Sequence, residues 1–244
     1  MNRRLEETDE RLPLYQRLRD DIRSDIGSRW RPGDAIPAEA DLAKKYNVAL
    51  GTMRKALDLL VADGLLERFQ GRGTFVRRAN FNASLFRFFR FQGVDGERRI
   101  PESRIIRRQV LKAPSAVAQA LRVAARTEVI HLSRLRFVNE TPVLLEDIWL
   151  PKAKFEALLK IDTIAYGNLL YPMYENHCEQ IVASAEETLT VEAIDIADAK
   201  LMRMRAGAPV IVIERTAYNF ERVPIEWRRS RGAADQYRYH VEIR

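Results

Sequence analysis

Leu14, Leu18, Ile22 and Ile26 recur at every fourth position after Pro13, with Arg17, Arg19, Asp20, Asp21 and Arg23 between them. That period predicts an amphipathic helix, closed by Gly27-Ser28. Trp30-Arg31-Pro32-Gly33-Asp34 reads as a turn, because Pro-Gly favours type II geometry and interrupts helix on both sides. A second helix, Glu39 to Tyr46, turns Leu42, Ala43 and Tyr46 inward and Asp41, Lys44 and Lys45 outward. After a short stop at Asn47-Val48, a third helix runs from about Gly51 to Asp63. It places Met53, Ala56, Leu57, Leu60 and Val61 on one stripe, with Thr52, Arg54, Lys55 and Asp58 on the flanks and opposite face. Gly64 suits the left-handed position just past its end.

Two helices with so short a connection, the second carrying an outward Thr-x-Arg-Lys, point to a helix-turn-helix. Residues 65–69 and 74–78 then read as two strands around Gln70-Gly71-Arg72-Gly73, a glycine-rich tip carrying Arg, which is a wing. A helix start in the major groove can bring Thr52, Arg54 and Lys55 to phosphates and base edges, and a slim wing can approach the neighbouring groove. The plain alternative is a three-helix domain with a basic surface.

Residues 79–84 read as a linker and Leu85 to Phe91 as an aromatic strand, serving either as core and interface or as a base-stacking platform. Strands follow at Ser103–Leu111, Val129–Val138 and Val143–Leu150, with a helix at Ser115–Leu121 and a turn at residues 139–142. Helices are expected at Lys152–Leu159 and Asn168–Asn176, then a strand at Glu179–Val191 and a short helix at Asp195–Arg203. The last strands are Val210–Phe220, Pro224–Arg231 and Gln236–Ile243. Strands linked as hairpins, with segregated helices, predict an α+β fold with a mainly antiparallel sheet.

The 244 residues, 46% hydrophobic, suffice for two ordinary domains, and 31% charged residues without simple segments exclude disordered and fibrous classes. One cysteine, Cys178, excludes a disulfide framework and fits a reducing compartment. The first residues, MNRRLEETDERL, contain no signal-peptide core and no window has the apolar length of a membrane span, so a cytoplasmic, nucleoid-associated protein is expected. The net charge of +7 is unevenly placed. Residues 1–78 carry 16 Lys+Arg against 13 Asp+Glu, residues 79–126 carry 10 against 3, and residues 127–244 carry 15 against 18.

Pro13-Leu14-Tyr15, residues 31–39 (RPGDAIPAE), Gly51-Thr52-Met53-Arg54-Lys55-Ala56-Leu57, Asp63-Gly64-Leu65-Leu66 and Gly71-Arg72-Gly73-Thr74-Phe75-Val76 resemble the GntR-type winged-helix repressors in order and spacing. The resemblance implies operator binding by a homodimer, with Thr52, Arg54, Gln70 and Gly71 at DNA and Lys55 and Arg72 on phosphates. Three positions depart from the commonest pattern. Ala40 stands where many relatives have Arg, and Leu50-Gly51 replaces a polar pair at the start of the recognition helix. More of the base discrimination then falls to Thr52 and Arg54.

The second half resembles the UTRA effector-binding domain of the HutC-like branch, similar in fold to chorismate lyase. The motifs are Pro101-Glu102-Ser103-Arg104, Arg134-Leu135-Arg136, Thr141-Pro142-Val143 with Glu146, residues 170–175 (LYPMYE), Gly207-Ala208-Pro209-Val210 and residues 223–228 (VPIEWR). The domains implied are 1–78 winged helix-turn-helix, 79–84 linker and 85–244 effector binding and dimerisation.

In a period-two strand Arg134 and Arg136 share a face, so two guanidinium groups can converge on one carboxylate or phosphate. Relatives place the acidic end of the effector there. Glu146 and Glu226, if inward, can accept hydrogen bonds from the effector, or else pair with the same arginines. Leu169-Leu170-Tyr171 lacks a hydroxyl that relatives offer to phosphate, and Ala233 stands where close relatives carry Arg. A carboxylate-bearing or more apolar metabolite is therefore expected over a sugar phosphate, with Tyr171 as a polar handle.

The competing reading is a lyase-like enzyme built on the second half, and its chemistry is thin. His131, His177 and His240 lack metal-ligand spacing, no Gly-x-Ser-x-Gly elbow occurs, and His177-Cys178 is a boundary pair rather than a dyad. Glu186-Glu187 reads as an exposed strand pair, and no cofactor or metal is expected. The expected protein is a ligand-responsive repressor released from double-stranded operator DNA by a small anionic effector, with no enzymatic activity and no membrane partner.

Overall fold

The computed structural model describes residues 12–26, 28–77 and 101–237, which fall into two compact units. The expected linker and the aromatic strand Leu85 to Phe91 lie outside the described residues, as does the chain after residue 237.

In the first unit, α1 (Leu14–Asp25), α2 (Glu39–Tyr46) and α3 (Leu50–Ala62) bury the stripe that their periodicity predicts. Leu18, Ile22, Leu42, Met53, Ala56, Leu57 and Leu60 are wholly shielded, each larger side chain contributing about 1.5–3 kcal/mol of burial. Leu14 is the exception at the helix start, 37% exposed, and Ile26 leaves the helix for an extended conformation. Buried Asp25 receives a hydrogen bond from Tyr46 Oη at 3.2 Å, tying α1 to α2. Gly64 takes φ +71° just after α3, where a side chain would be strained.

The wing is β1 (Leu66–Phe69) and β2 (Gly73–Val76), paired antiparallel. The turn before α2 adds a third stretch: Gly33 N donates to Val76 O, Val76 N to Asp34 O, and Ile36 N to Thr74 O. Phe69 and Phe75 meet edge to face at 5.5 Å, stiffening the hairpin.

The second unit is one six-stranded antiparallel sheet in the order β3-β4-β5-β8-β7-β6, giving the expected α+β architecture. The strands are β3 (Glu102–Lys112), β4 (Glu128–Val138), β5 (Thr141–Pro151), β6 (Ser184–Ala193), β7 (Pro209–Tyr218) and β8 (Pro224–Ala233). Central strands β4 and β5 are buried on both faces, whereas edge strands β3 and β6 are largely exposed. Helices α4 (Ser115–Leu121), α5 (Lys152–Phe155), α6 (Leu170–Cys178) and α7 (Ile196–Met202) lie between strands in sequence. Phe155, Leu158, Tyr166, Leu170 and Tyr174 pack with Ile130, Leu132, Ile148 and Leu150 on one face. Ala199 and Met202 pack with Leu135, Phe137 and Leu145 on the other.

Three expectations change. The helix at Lys152 runs only to Phe155 and continues as a 3-10 turn over Glu156–Lys160. The strand expected from Glu179 starts at Ser184, because Glu179 takes φ +55° and ends α6. Gln236 closes a 3-10 turn, Ala234–Gln236, so the strand expected at Gln236–Ile243 does not begin there, and its residues past 237 lie outside the described residues.

Candidate functional site

The first candidate surface is the start of α3 with the wing. Arg54 is exposed, but its Nε donates to Glu39 Oε2 at 3.0 Å. Glu39 also accepts from Arg68 of β1 at 2.9 Å, and Arg68 in turn pairs with Asp58. Lys55 Nζ sits 4.0 Å over the ring of Tyr15 from α1, a cation–π contact. Thr52 is half-buried on the opposite flank of α3 from Arg54. Gln70, Gly71 and Arg72 form the exposed wing tip, with Gly71 at φ +72° and the Arg72 guanidinium 5.6 Å from the Phe69 ring. Ala49 caps α3 without a side-chain hydrogen bond, so that helix end keeps backbone donors free of a side-chain acceptor.

The second candidate lies inside the sheet of the second unit. Arg134 and Arg136 point to one face of β4, as a period of two requires, and both are almost wholly buried. Both donate through Nε to the same oxygen, Glu146 Oε2, at 2.7 and 2.9 Å. Arg228 of β8 completes the set, reaching Glu146 Oε1 at 3.2 Å and Glu226 Oε2 at 2.8 Å. Glu226 is roofed by α6: Tyr174 Oη donates to it at 2.6 Å and Tyr171 Oη at 3.2 Å. Arg215 of β7 donates to Tyr171 Oη at 3.3 Å and to Glu187 at 2.7 Å. Glu187 is therefore a half-buried partner of Arg215, correcting the exposed pair expected at Glu186-Glu187, and Glu186 accepts from Tyr218 Oη.

Electrostatics follow from that packing. Burial pulls the Arg134 guanidinium down to about 10, and Arg136 beside it adds to the effect. Burial alone would raise Glu146, but Arg134, Arg136 and Arg228 outweigh it and hold the carboxyl well below its usual range. Burial and then Glu226 push the Tyr174 phenol well up.

Three buried cations thus face two buried carboxylates. Both β4 arginines use Nε for Glu146, which leaves their terminal nitrogens for other acceptors. Both terminal nitrogens of Arg134, one of Arg136 and Nε of Arg228 have no hydrogen-bond partner among the described residues. A buried charged donor left so costs more than the ~1–3 kcal/mol of a neutral one, and an acceptor-only oxyanion is one group that can satisfy it.

Residues 14–76 match the family of bacterial regulatory proteins of gntR type, and residues 96–238 match the UTRA domain. The chain belongs to the GntR family, in its UTRA-bearing HutC branch. It is 30% identical over 214 residues to the "Probable fructoselysine utilization operon transcriptional repressor" of Escherichia coli K12, covering 87% of this chain and 85% of that one. The mannosyl-D-glycerate transport/metabolism system repressor MngR of the same strain is 26% identical over 229 residues, 93% of this chain and 94% of that one. The crystal structure of PhnF from Mycobacterium smegmatis shares the fold, with TM-score 0.55 and 24% identity over 93% of this chain and 98% of that one.

This GntR regulator is a DNA-binding transcription factor and not an enzyme, and its partners are operator DNA and a small-molecule ligand. Among the described residues, no helix is long and apolar enough to cross a membrane. Sequence reasoning missed Arg228, Arg215, Tyr174 and Glu39. Arg228 was findable, standing two residues after Glu226 on the same strand face. Arg215 was not, because its place depends on the pairing of β7 with β8.

Proposed function

We propose that this regulator is a homodimeric repressor, released from its operator when a small carboxylate-bearing metabolite occupies the cluster at Arg134 and Arg136. The observation that carries this reading is the set of buried guanidinium nitrogens without partners beside Glu146. One carboxylate can accept from the Arg134 fork and the Arg136 terminal nitrogen together, bringing the buried charge into balance. Tyr171 and Glu226 then meet the rest of the molecule. Two relatives are named for fructoselysine and mannosyl-D-glycerate, both of which carry a carboxylate.

On DNA, Thr52 and Arg54 read base edges, Lys55 and Arg72 hold phosphates, and the Gln70-Gly71 tip enters the adjacent groove. Arg54 exchanges Glu39 for the base as it docks, so free and bound states differ by one ion pair rather than by a charge stripped of partners. Two winged helices carried by a dimer of effector domains match half-sites about one helical turn apart. A bound form that holds them at another spacing lowers operator affinity by the coupling free energy, typically about 1–3 kcal/mol.

The test is a thermal-shift screen of the full chain with small carboxylic acids and phosphorylated sugars. A guest of the cluster raises the melting temperature by mass action. A carboxylate that does so in the wild type and fails in Arg134→Met supports the reading. A screen in which phosphorylated sugars alone act corrects the ligand class, and one in which neither acts overturns the reading.

A further inference from the structure

The start of α3 carries an apolar surface that the fold does not use. Leu50, its first residue, is 44% exposed, although a leucine gains ~1.5–3 kcal/mol when buried. With the exposed Ala40 of α2 and exposed Ala49, and with Val48, it lines a shallow concavity rimmed by Lys44. Arg54 stands one turn beyond Leu50 on the same flank. Between the flanks is Gly51, helical and exposed. A Cβ there would meet nothing within 4 Å, so nothing in the protein's own packing demands glycine. Glycine in a helix is weaker than alanine by up to about 1 kcal/mol, and the gap it leaves faces outward.

An apolar patch at a helix start, flush at Gly51 and edged by Lys44 and Arg54, fits a surface that is polyanionic outside and locally apolar within. In the major groove the one apolar group on any base edge is the thymine C5-methyl. We propose that Leu50, with Ala40 and Ala49, reads a thymine methyl in each operator half-site, so that part of the sequence discrimination is hydrophobic. This rests on the reading that the first turn of α3 faces base edges. Arg54 on the same flank supplies the polar contact one step along, and Gly51 lets the helix sit deep enough for both.

The test enriches duplexes for the full-length protein from a randomised pool, then replaces each thymine with deoxyuridine, which removes only the methyl. Loss of one buried methyl predicts about 4-fold weaker binding per half-site and roughly 15-fold when both are replaced. In Leu50→Ala, affinity for the thymine duplex drops to the deoxyuridine level and the further effect of deoxyuridine disappears. Equal affinity for thymine and fully deoxyuridine-substituted duplexes overturns the proposal, as does a Leu50→Ala variant that still discriminates them. A protein that binds the enriched duplex in a salt-sensitive manner but ignores the methyl sinks this inference and leaves operator binding standing. Failure to enrich any duplex sinks both.

Discussion

Arg134 on β4 and Glu146 on β5 face each other in register across the sheet, joined at 2.7 Å between Nε and Oε2, with essentially no exposure for either side chain. The side-on bond occupies the inner nitrogen of the guanidinium and leaves its fork free. A forked end-on pair would have closed the same arginine to any ligand. In the proposed function, that free fork is what receives the carboxylate of the effector.

The two partners should tolerate replacement unequally. Glu146→Gln leaves Arg134, Arg136 and Arg228 without their shared carboxylate, and is expected to destabilise the second domain by about 3–5 kcal/mol, as when one member of a buried pair is lost. Arg134→Met removes a cation that is only part satisfied, and is expected to cost less than about 1.5 kcal/mol. Denaturant melts of both variants measure the difference, and equal losses would contradict the asymmetry.

Acid sensitivity follows from the same carboxyl. Glu146 is held below its ordinary value in the folded chain, so its contribution is present above the unfolded value, near 4.3, and is lost as pH falls through the lower folded value. Between pH 5 and pH 3 the wild type should lose more stability than Glu146→Gln, which lacks that carboxyl. Parallel melts of the two proteins across this window check the sign.

Glu39 restrains both Arg54 and Arg68 at the surface proposed to meet DNA. Glu39→Gln removes one negative charge there and frees Arg54 at little cost to folding. Duplex affinity is expected to rise about 2- to 5-fold, the range of an exposed ion pair, with the larger gain on scrambled DNA. Fluorescence anisotropy on enriched and scrambled duplexes resolves affinity from selectivity.

Gly51→Ala separates folding from recognition. The added methyl meets open space, so the melting temperature should hold or rise, consistent with up to about 1 kcal/mol of helix propensity. Operator affinity should fall because the helix stands further from the base edges. A variant that is more stable and binds DNA normally would remove Gly51 from the interface.

Much of this was legible beforehand. The burial stripes of α2 and α3, the wing and the shared face of Arg134 and Arg136 follow from periods of 3.6 and 2. Local geometry hid other parts. The left-handed residue Glu179 broke a run that reads as continuous strand, and the 3-10 turn after Phe155 keeps the residue composition of a helix. The far wall of the cluster was less accessible still. Arg228, Arg229 and Arg231 are neighbours in sequence, and only the pairing of β5 with β8 places Arg228 at Glu146 while Arg231 goes to Asp147.

The decisive measurement titrates the full-length protein, bound to its enriched duplex, with the carboxylate that raises its melting temperature. The account predicts that operator affinity falls about 5- to 150-fold and that Arg134→Met stays bound at every ligand concentration. A ligand that stabilises the wild type through Arg134 and leaves its operator affinity unchanged would contradict it.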